Sequence, residues 1–367
     1  MKKISKIIKA ATLSLPLTLS APSVLADERP QEKSFSEEQG LLAAYTALQQ
    51  LDLPKALDLT QTLIENYPNY KAAQILKADL YAIRANQTAL MMRTQRKYQK
   101  ELSSFQEEGR LRWVFEQNTL ETQGLNYVMK TAEKGYLVMV DAKLHRLYLF
   151  EQTKDGLVKK EDFYIMLGQA GVGKEREGDK KTPIGIYHID GWKDGKTLPD
   201  LYGSGALTLN YPNAWDKEQG RTGSGIWVHG TPKNTLTREP LASRGCVVLT
   251  NQSIERLREA YQLGEQTPVL ILSGESTVEP LDSKSVLADI ESYLKQDPMR
   301  APLKMETLSV MQYPDQPKMV YLRYQTQQGQ WHEEFWQHQE SRWQVLLQDP
   351  KSSQLLAGSS YNLPSQD

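Results

Sequence analysis

The hydrophobic period of this chain changes at about residue 135. Upstream, Leu41, Leu42, Tyr45 and Leu48, and then Ala56, Leu59, Leu63 and Ile64, recur at helical spacing. Downstream, Tyr136, Val138 and Val140 alternate with Leu137 and Met139, and Leu147 to Phe150 follow a polar break. One core does not serve both periods over 367 residues, so the chain reads as multidomain, helical first and mainly β second.

In the helical part, Pro54 opens a second helix and Tyr67-Pro68-Asn69 ends it. A third helix is predicted from Ala72 to Ala85, and two polar ones from about Thr88 to Phe105 and Glu107 to Gln117. Ala44, Ala47, Ala56 and then Pro68 resemble one tetratricopeptide unit, although an array needs several. Residues 27–129 are expected to serve packing or self-association, with a homodimer as one outcome. Over residues 130–273 the strand candidates are Phe163 to Leu167, Gly185 to Ile189, Ala206 to Leu209, Gly225 to His229, Cys246 to Leu249 and Val269 to Leu272. One helix, about Asn251 to Tyr261, interrupts them. Residues 274–348 hold an amphipathic helix, Ser283 to Lys295, and strands at Leu303–Met311, Met319–Gln325, Trp331–Gln337 and Trp343–Leu347, an α+β module. Trp331, Phe335, Trp336 and Trp343 either line a cavity there or fill its core, and core is the simpler reading. The polar residues 349–367 read as a mobile tail.

The amino terminus is treated separately. Lys2, Lys3, Lys6 and Lys9 precede an apolar stretch that ends in Val24-Leu25-Ala26, the pattern of an export signal cut after residue 26. The alternative, an uncleaved anchor, fits less well, because Pro16 and Pro22 break the stretch. No later segment approaches the roughly 18 apolar residues of a spanning helix. With 44 basic and 45 acidic residues the chain has no electrostatic footprint for nucleic acid. An exported, periplasmic protein of a Gram-negative envelope is expected, without a membrane span once mature.

Export gives weight to the one cysteine, Cys246. A lone thiol in an oxidising compartment is either buried and inert or used. Its surroundings favour use: Ile226-Trp227-Val228-His229-Gly230, then Ser243-Arg244-Gly245-Cys246-Val247. A thiol nucleophile needs a base within hydrogen-bond reach, and a Pro-containing loop between two strand ends can fold His229 back onto Cys246. Gly245 permits close approach to the backbone, and the amides of Gly245 and Cys246 can face an oxyanion. Arg244 is expected to favour the thiolate. Taken alone, a Cys and a His 17 positions apart can equally be a core pair.

This segment resembles the signature of the L,D-transpeptidase (YkuD-type) catalytic domain: a His, a spacer, then Ser, Arg, Gly, Cys and an apolar residue. Lys181 to Tyr187 supports it upstream, and Leu209-Asn210-Tyr211-Pro212-Asn213 is similar to a loop of the murein peptide-processing branch. Arg244 stands where many members carry a second histidine, and Val248 where many carry Arg or Asn. The resemblance implies a mainly β sandwich, with Cys246 as nucleophile, His229 as base and the carbonyl of Gly230 holding the imidazole tautomer. It also implies substrate contacts at Asn210, Tyr211, Ser243, Arg244 and Gly245, and no cofactor. Asp190 and Asp216 are then read as surface or turn residues.

The implied substrate is a peptidoglycan tetrapeptide stem, which loses D-alanine to give a thioacyl enzyme. An amine acceptor makes this a transpeptidase, and water makes it a carboxypeptidase. The three-part order is also similar to the cell-shape L,D-carboxypeptidases of helical bacteria, whose last module is nuclear-transport-factor-2-like. Rival readings remain. A papain-like peptidase places Cys before His, the reverse of this chain. A metal site lacks ligand spacing, since His145, His188, His332 and His338 are scattered, the last two read as surface. A wall-binding module with an inert thiol is the non-enzymatic reading. The charge run Lys174–Lys181 reads as a solvated loop, or as a border of the groove.

Overall fold

The computed structural model describes residues 36–117, 123–265, 267–274, 278–296, 303–339 and 342–348. The expected signal segment and the tail lie outside these residues. Helices α1 (Glu37–Gln49), α2 (Leu53–Asn66), α3 (Lys71–Arg84), α4 (Thr88–Lys97) and α5 (Gln99–Gln117) come first. Asp52 caps α2 by accepting from the Lys55 amide at 3.1 Å, and Pro54 sits in its first turn. Leu41, Ala44, Ala56, Leu63 and Ala73 are fully buried between these helices. The break between α4 and α5 falls at Tyr98, not near residue 106 as the sequence suggested, because the uniformly polar stretch carries no capping signal to locate it.

The strands are β1 (Val128–Lys130), β2 (Tyr136–Asp141), β3 (Arg146–Thr153), β4 (Gly156–Tyr164), β5 (Leu167–Gly168), β6 (Gly185–Asp194), β7 (Gly205–Leu209), β8 (Trp227–His229), β9 (Leu241–Ser243), β10 (Val247–Val248), β11 (Pro268–Leu272), β12 (Leu303–Gln312), β13 (Met319–Thr326), β14 (Trp331–Gln339) and β15 (Arg342–Gln348). Helix α6 (Ala214–Glu218) precedes β8, α7 (Asn251–Glu259) follows β10, and α8 (Ser283–Gln296) precedes β12. The middle part is one mixed eight-stranded set, ordered β10-β8-β7-β6-β11-β2-β3-β4, with a two-stranded β5-β9 sheet beside it. The core of the expected β unit lies inside it, where Val138, Val140, Leu147 and Leu149 of β2 and β3 cluster with Leu207, Leu209, Val228 and Val247 of β7, β8 and β10. The period-2 alternation sends Val138, Val140, Leu147 and Leu149 to one face, over which α7 packs. It sends Leu137, Met139, Tyr148 and Phe150 to the other, against Met311, Met319, Tyr321 and Phe335 of the carboxy-terminal sheet.

That second sheet runs β1-β12-β13-β14-β15. Residues 128–130, which span the boundary read from sequence between the helical and catalytic modules, are its edge strand, antiparallel to β12. Its far face carries Trp336 and Trp343 under Ile290 and Leu294 of α8, so these tryptophans are core; Trp331 is half-buried at the sheet margin. The sequence also missed the start of β4. Its Val-Lys-Lys-Glu-Asp run looks like a loop, but a charged strand is what a sheet edge tolerates. Among the described residues no helix is long and apolar enough to cross a membrane.

Two polar residues depart from the placement expected of them, and a third, His188, joins the two sheets. Asp216 is fully buried, closing a capping box with Asn213 and pairing Arg221 at 2.8 Å. His332 is buried and stacks on Tyr324 at 5.5 Å. His188, on β6, bridges the two sheets, with Nδ1 2.6 Å from Glu333 of β14 and Nε2 3.0 Å from Asp190. Burial works against a charged imidazole here, but the two carboxylates overcome it and hold its pKa above the ordinary 6.5. Because the fold favours the protonated form, its contribution is fully present below 6.5 and is lost as pH rises through the higher folded value. Unfolding free energies of the wild type and His188→Gln, compared by urea titration, should differ more at pH 6 than at pH 9. An equal difference at both would refute the bridge's charge.

Candidate active site

Strands β8 and β10 are parallel neighbours, with Val228 opposite Val247 and His229 opposite Val248. Val228 and Val247 both point into the core over which α7 lies. Alternation then turns Trp227, His229, Cys246 and Val248 to the opposite face. Cys246 immediately precedes β10, so it and His229 are diagonal neighbours on one face, about 8 Å apart between Cα atoms in an ideal ladder. Val248, buried with Tyr164 and Met166, forms the apolar floor against which the half-buried Cys246 packs.

The imidazole is held from behind. Its Nδ1 lies 2.7 Å from the carbonyl oxygen of Gly230, so the proton sits on Nδ1 and Nε2 keeps its lone pair. Burial pushes the pKa of His229 down to about 4; the Gly230 carbonyl opposes this, and the nearby Arg238 charge adds to it. Burial pushes the Cys246 thiol up to about 11, against the Trp227 amide and the charge of Lys174. At neutral pH both partners are therefore uncharged. The thiol donates to the Gly225 carbonyl at 3.4 Å.

The turn before the cysteine is built by Ser243 and Gly245. Ser243 Oγ accepts from the Gly245 amide at 3.0 Å and donates to the Cys246 carbonyl at 2.6 Å. The Gly245 N–H thus braces the turn. Gly245 has φ +126, and a Cβ there would lie 2.7 Å from the Lys181 carbonyl oxygen.

The remaining expected contacts divide. Arg244 is exposed, and the buried Lys174 is a cation whose charge reaches the thiol. The run 174–181 is accordingly no plain solvated loop. Lys174 is buried, 2.8 Å from Asp179, which also accepts from the amides of Glu175, Arg176 and Lys181. Burial alone would raise the Asp179 pKa, but these donors hold it well below the carboxylate range. Asn210 and Tyr211 brace the frame: Asn210 Oδ1 accepts from the His188 amide at 2.9 Å, and Tyr211 donates to the Thr222 carbonyl at 3.2 Å.

Sequence reasoning missed Tyr202. Its ring stands edge-on to His229 at 5.0 Å and lies 4.8 Å from Trp227. Gly203, at φ +57 and tight against the Thr231 carbonyl, sets the turn that puts it there. No chemical signature marks such a tyrosine; only the fold brings it over the base. Among the described residues no three His, Cys, Asp or Glu side chains gather as a metal site.

Similarity to known proteins includes the same part of the chain. The L,D-transpeptidase catalytic domain, YkuD, matches residues 135–271, and the chain carries a domain of that family with its one cysteine inside. Putative L,D-transpeptidase YafK of Escherichia coli strain K12 is 29% identical over 120 residues, covering 30% of this chain. The chain spans 44% of the length of that curated relative. Among solved structures, a variant of the helical cell shape determining protein Pgp2 from Campylobacter jejuni superposes with TM-score 0.48 at 20% identity, over 65% of this chain and 97% of that one. Bd1075 of Bdellovibrio bacteriovorus does so with TM-score 0.43 at 20% identity, over 61% and 96%.

Gly245→Ala should lower the unfolding free energy by about 2 kcal/mol, through left-handed strain and the Lys181 clash. A urea midpoint within error of wild type would contradict that.

Proposed function

We propose that the protein is a peptidoglycan L,D-transpeptidase acting on tetrapeptide stems through a thioacyl intermediate on Cys246. The observation that carries this is the Nδ1 bond of His229 to the Gly230 carbonyl, which leaves Nε2 as a base on the face that presents the thiol. In this reading Sγ turns from Gly225 to Nε2 as the stem enters. Nε2 takes the thiol proton while sulfur bonds to the carbonyl carbon of the diamino acid, and the amide of Cys246 faces the oxyanion. Collapse breaks the bond to D-alanine, whose amine leaves with the proton from the imidazolium. An acceptor amine then attacks the thioester, gives its proton to Nε2 and releases the thiol. Water in its place yields the tripeptide, by the same residues. No carboxylate is needed behind the imidazole, because a backbone carbonyl does that work.

The domain limits read from sequence, with residues 128–130 moved to the carboxy-terminal sheet, export to a Gram-negative periplasm and self-association through the helical module belong to the same proposal. So does a likeness of the carboxy-terminal helix and sheet to nuclear-transport-factor-2. The exposed Leu90, Met92 and Tyr98 on and beside α4 support self-association.

Mass spectrometry of muropeptides incubated with the mature protein tests the chemistry. Free D-alanine with crosslinked dimer is the expected product, and tripeptide alone would move the reading to a carboxypeptidase. Cys246→Ala should be silent, and His229→Gln reduced by about 10²–10⁴. An unimpaired Cys246→Ala would reject the mechanism.

The pH dependence has a definite sign. His229 must be neutral to act, so activity should persist from neutral pH downward and be lost only as pH falls through about 4. Alkylation of Cys246 by iodoacetamide should climb toward about 11 with no plateau near neutrality. A neutral plateau would instead show a preformed thiolate–imidazolium pair.

A further inference from the structure

Helix α5 places an ion pair under both halves of the active site. Glu108 is fully buried and Arg112 is 1% exposed. Arg112 Nη2 lies 3.1 Å from Glu108 Oε1, and Nη1 lies 3.4 Å from Glu38 of α1. Replacing such a pair by apolar side chains is often neutral for stability, so its presence calls for a use beyond stability. Its other contacts supply one. Glu108 Oε2 accepts from the hydroxyl of Thr237 at 3.2 Å, in the loop that leaves His229. The Arg112 guanidinium lies 4.1 Å over the ring of Tyr164, part of the floor under Cys246.

The 230–240 loop is held at its ends by backbone bonds, the Gly230 amide donating to the Gly205 carbonyl at 3.2 Å and the Leu167 amide to the Pro240 carbonyl at 2.8 Å, and its middle is braced by side chains. Within it Thr231 Oγ1 donates to the Thr235 carbonyl at 2.6 Å, and the Thr235 amide to the Pro232 carbonyl at 2.8 Å. It begins with the Gly230 carbonyl that holds the imidazole, and it carries Arg238, whose charge reaches His229. Thr237 is buried beside Arg238, and its hydroxyl is the loop's bond to the helical module. The Arg238 amide rests on Met166 Sδ at 3.1 Å, in the same floor.

We propose that Glu108 is a positioning residue for the reaction: through Thr237 it holds the 230–240 loop, and with it the Gly230 carbonyl and Arg238, in register with His229. The helical module is then part of the catalytic apparatus. This inference rests on His229 being the base.

The test uses the full mature chain and two variants, Thr237→Val and Thr237→Ser, with Glu108 and Arg112 left in place so that the buried ion pair survives. Hydrogen exchange by mass spectrometry should show the 231–240 amides exchanging about tenfold faster in Thr237→Val, with β2, β3 and β11 unchanged. On stem peptides kcat should fall about tenfold with KM unchanged, because the hydroxyl acts on the base and not on the substrate. Thr237→Ser should restore both. Loop exchange equal to wild type in Thr237→Val, or acceleration spread evenly over the domain, would overturn the proposal. The exchange measurement needs no substrate. A wild type without turnover on stems would therefore sink the catalytic reading, while loop exchange still decides the anchor.

Discussion

The site depends on a ladder two residues long. Val228 pairs with Val247, and His229 with Val248, in parallel. A shift of one residue would send either the imidazole or the thiol into the core, because side chains alternate strictly along a strand. So short a ladder cannot hold its own register. It is pinned at one end by the Ser243–Gly245 turn, whose two hydrogen bonds enclose the cysteine's backbone, and on its flank by the antiparallel β7–β8 pair. The apolar floor of Tyr164, Met166 and Val248 completes the support.

Burial sets the electrical state of that site. The thiol is pushed up and the imidazole down, so the resting pair is neutral and the charges arise only as the reaction proceeds. Lys174 is the buried cation whose charge reaches the sulfur, and Asp179 holds it in place. The same low-dielectric surroundings would magnify the interaction of an oxyanion with a fixed amide. A carbonyl behind the imidazole suits this design, since it orients Nδ1–H without adding a negative charge that would raise the base's pKa.

The outer modules are tied in by polar contacts made only in three dimensions. Glu38 pairs with both Arg112 and Arg146, linking α1, α5 and β3, and Arg146 lies 3.9 Å over Phe115. His188 reaches across to Glu333 in the carboxy-terminal sheet. Sequence periodicity cannot reveal such links, because the partners are 108 and 145 positions apart and each looks like an ordinary surface charge alone. Asp216 and His332 were misread for the same reason: polarity suggests exposure until a buried partner is seen.

The sequence by itself determined the order of helical, mixed-sheet and helix-plus-sheet parts, since hydrophobic period and turn residues are local properties. It also offered Cys246 and His229 as a pair, which spacing alone left level with a core pair; the family resemblance favoured the catalytic reading and implied the Gly230 carbonyl behind the imidazole. Only the tertiary structure decided that the other face of β2 and β3 packs on the carboxy-terminal sheet and that Lys174 is a buried cation whose charge reaches the thiol. It alone placed Tyr202 beside the base and made Asn210 and Tyr211 parts of the frame. The physical reason is common to all four: each depends on which surfaces meet after folding, and burial and partner identity are properties of that meeting.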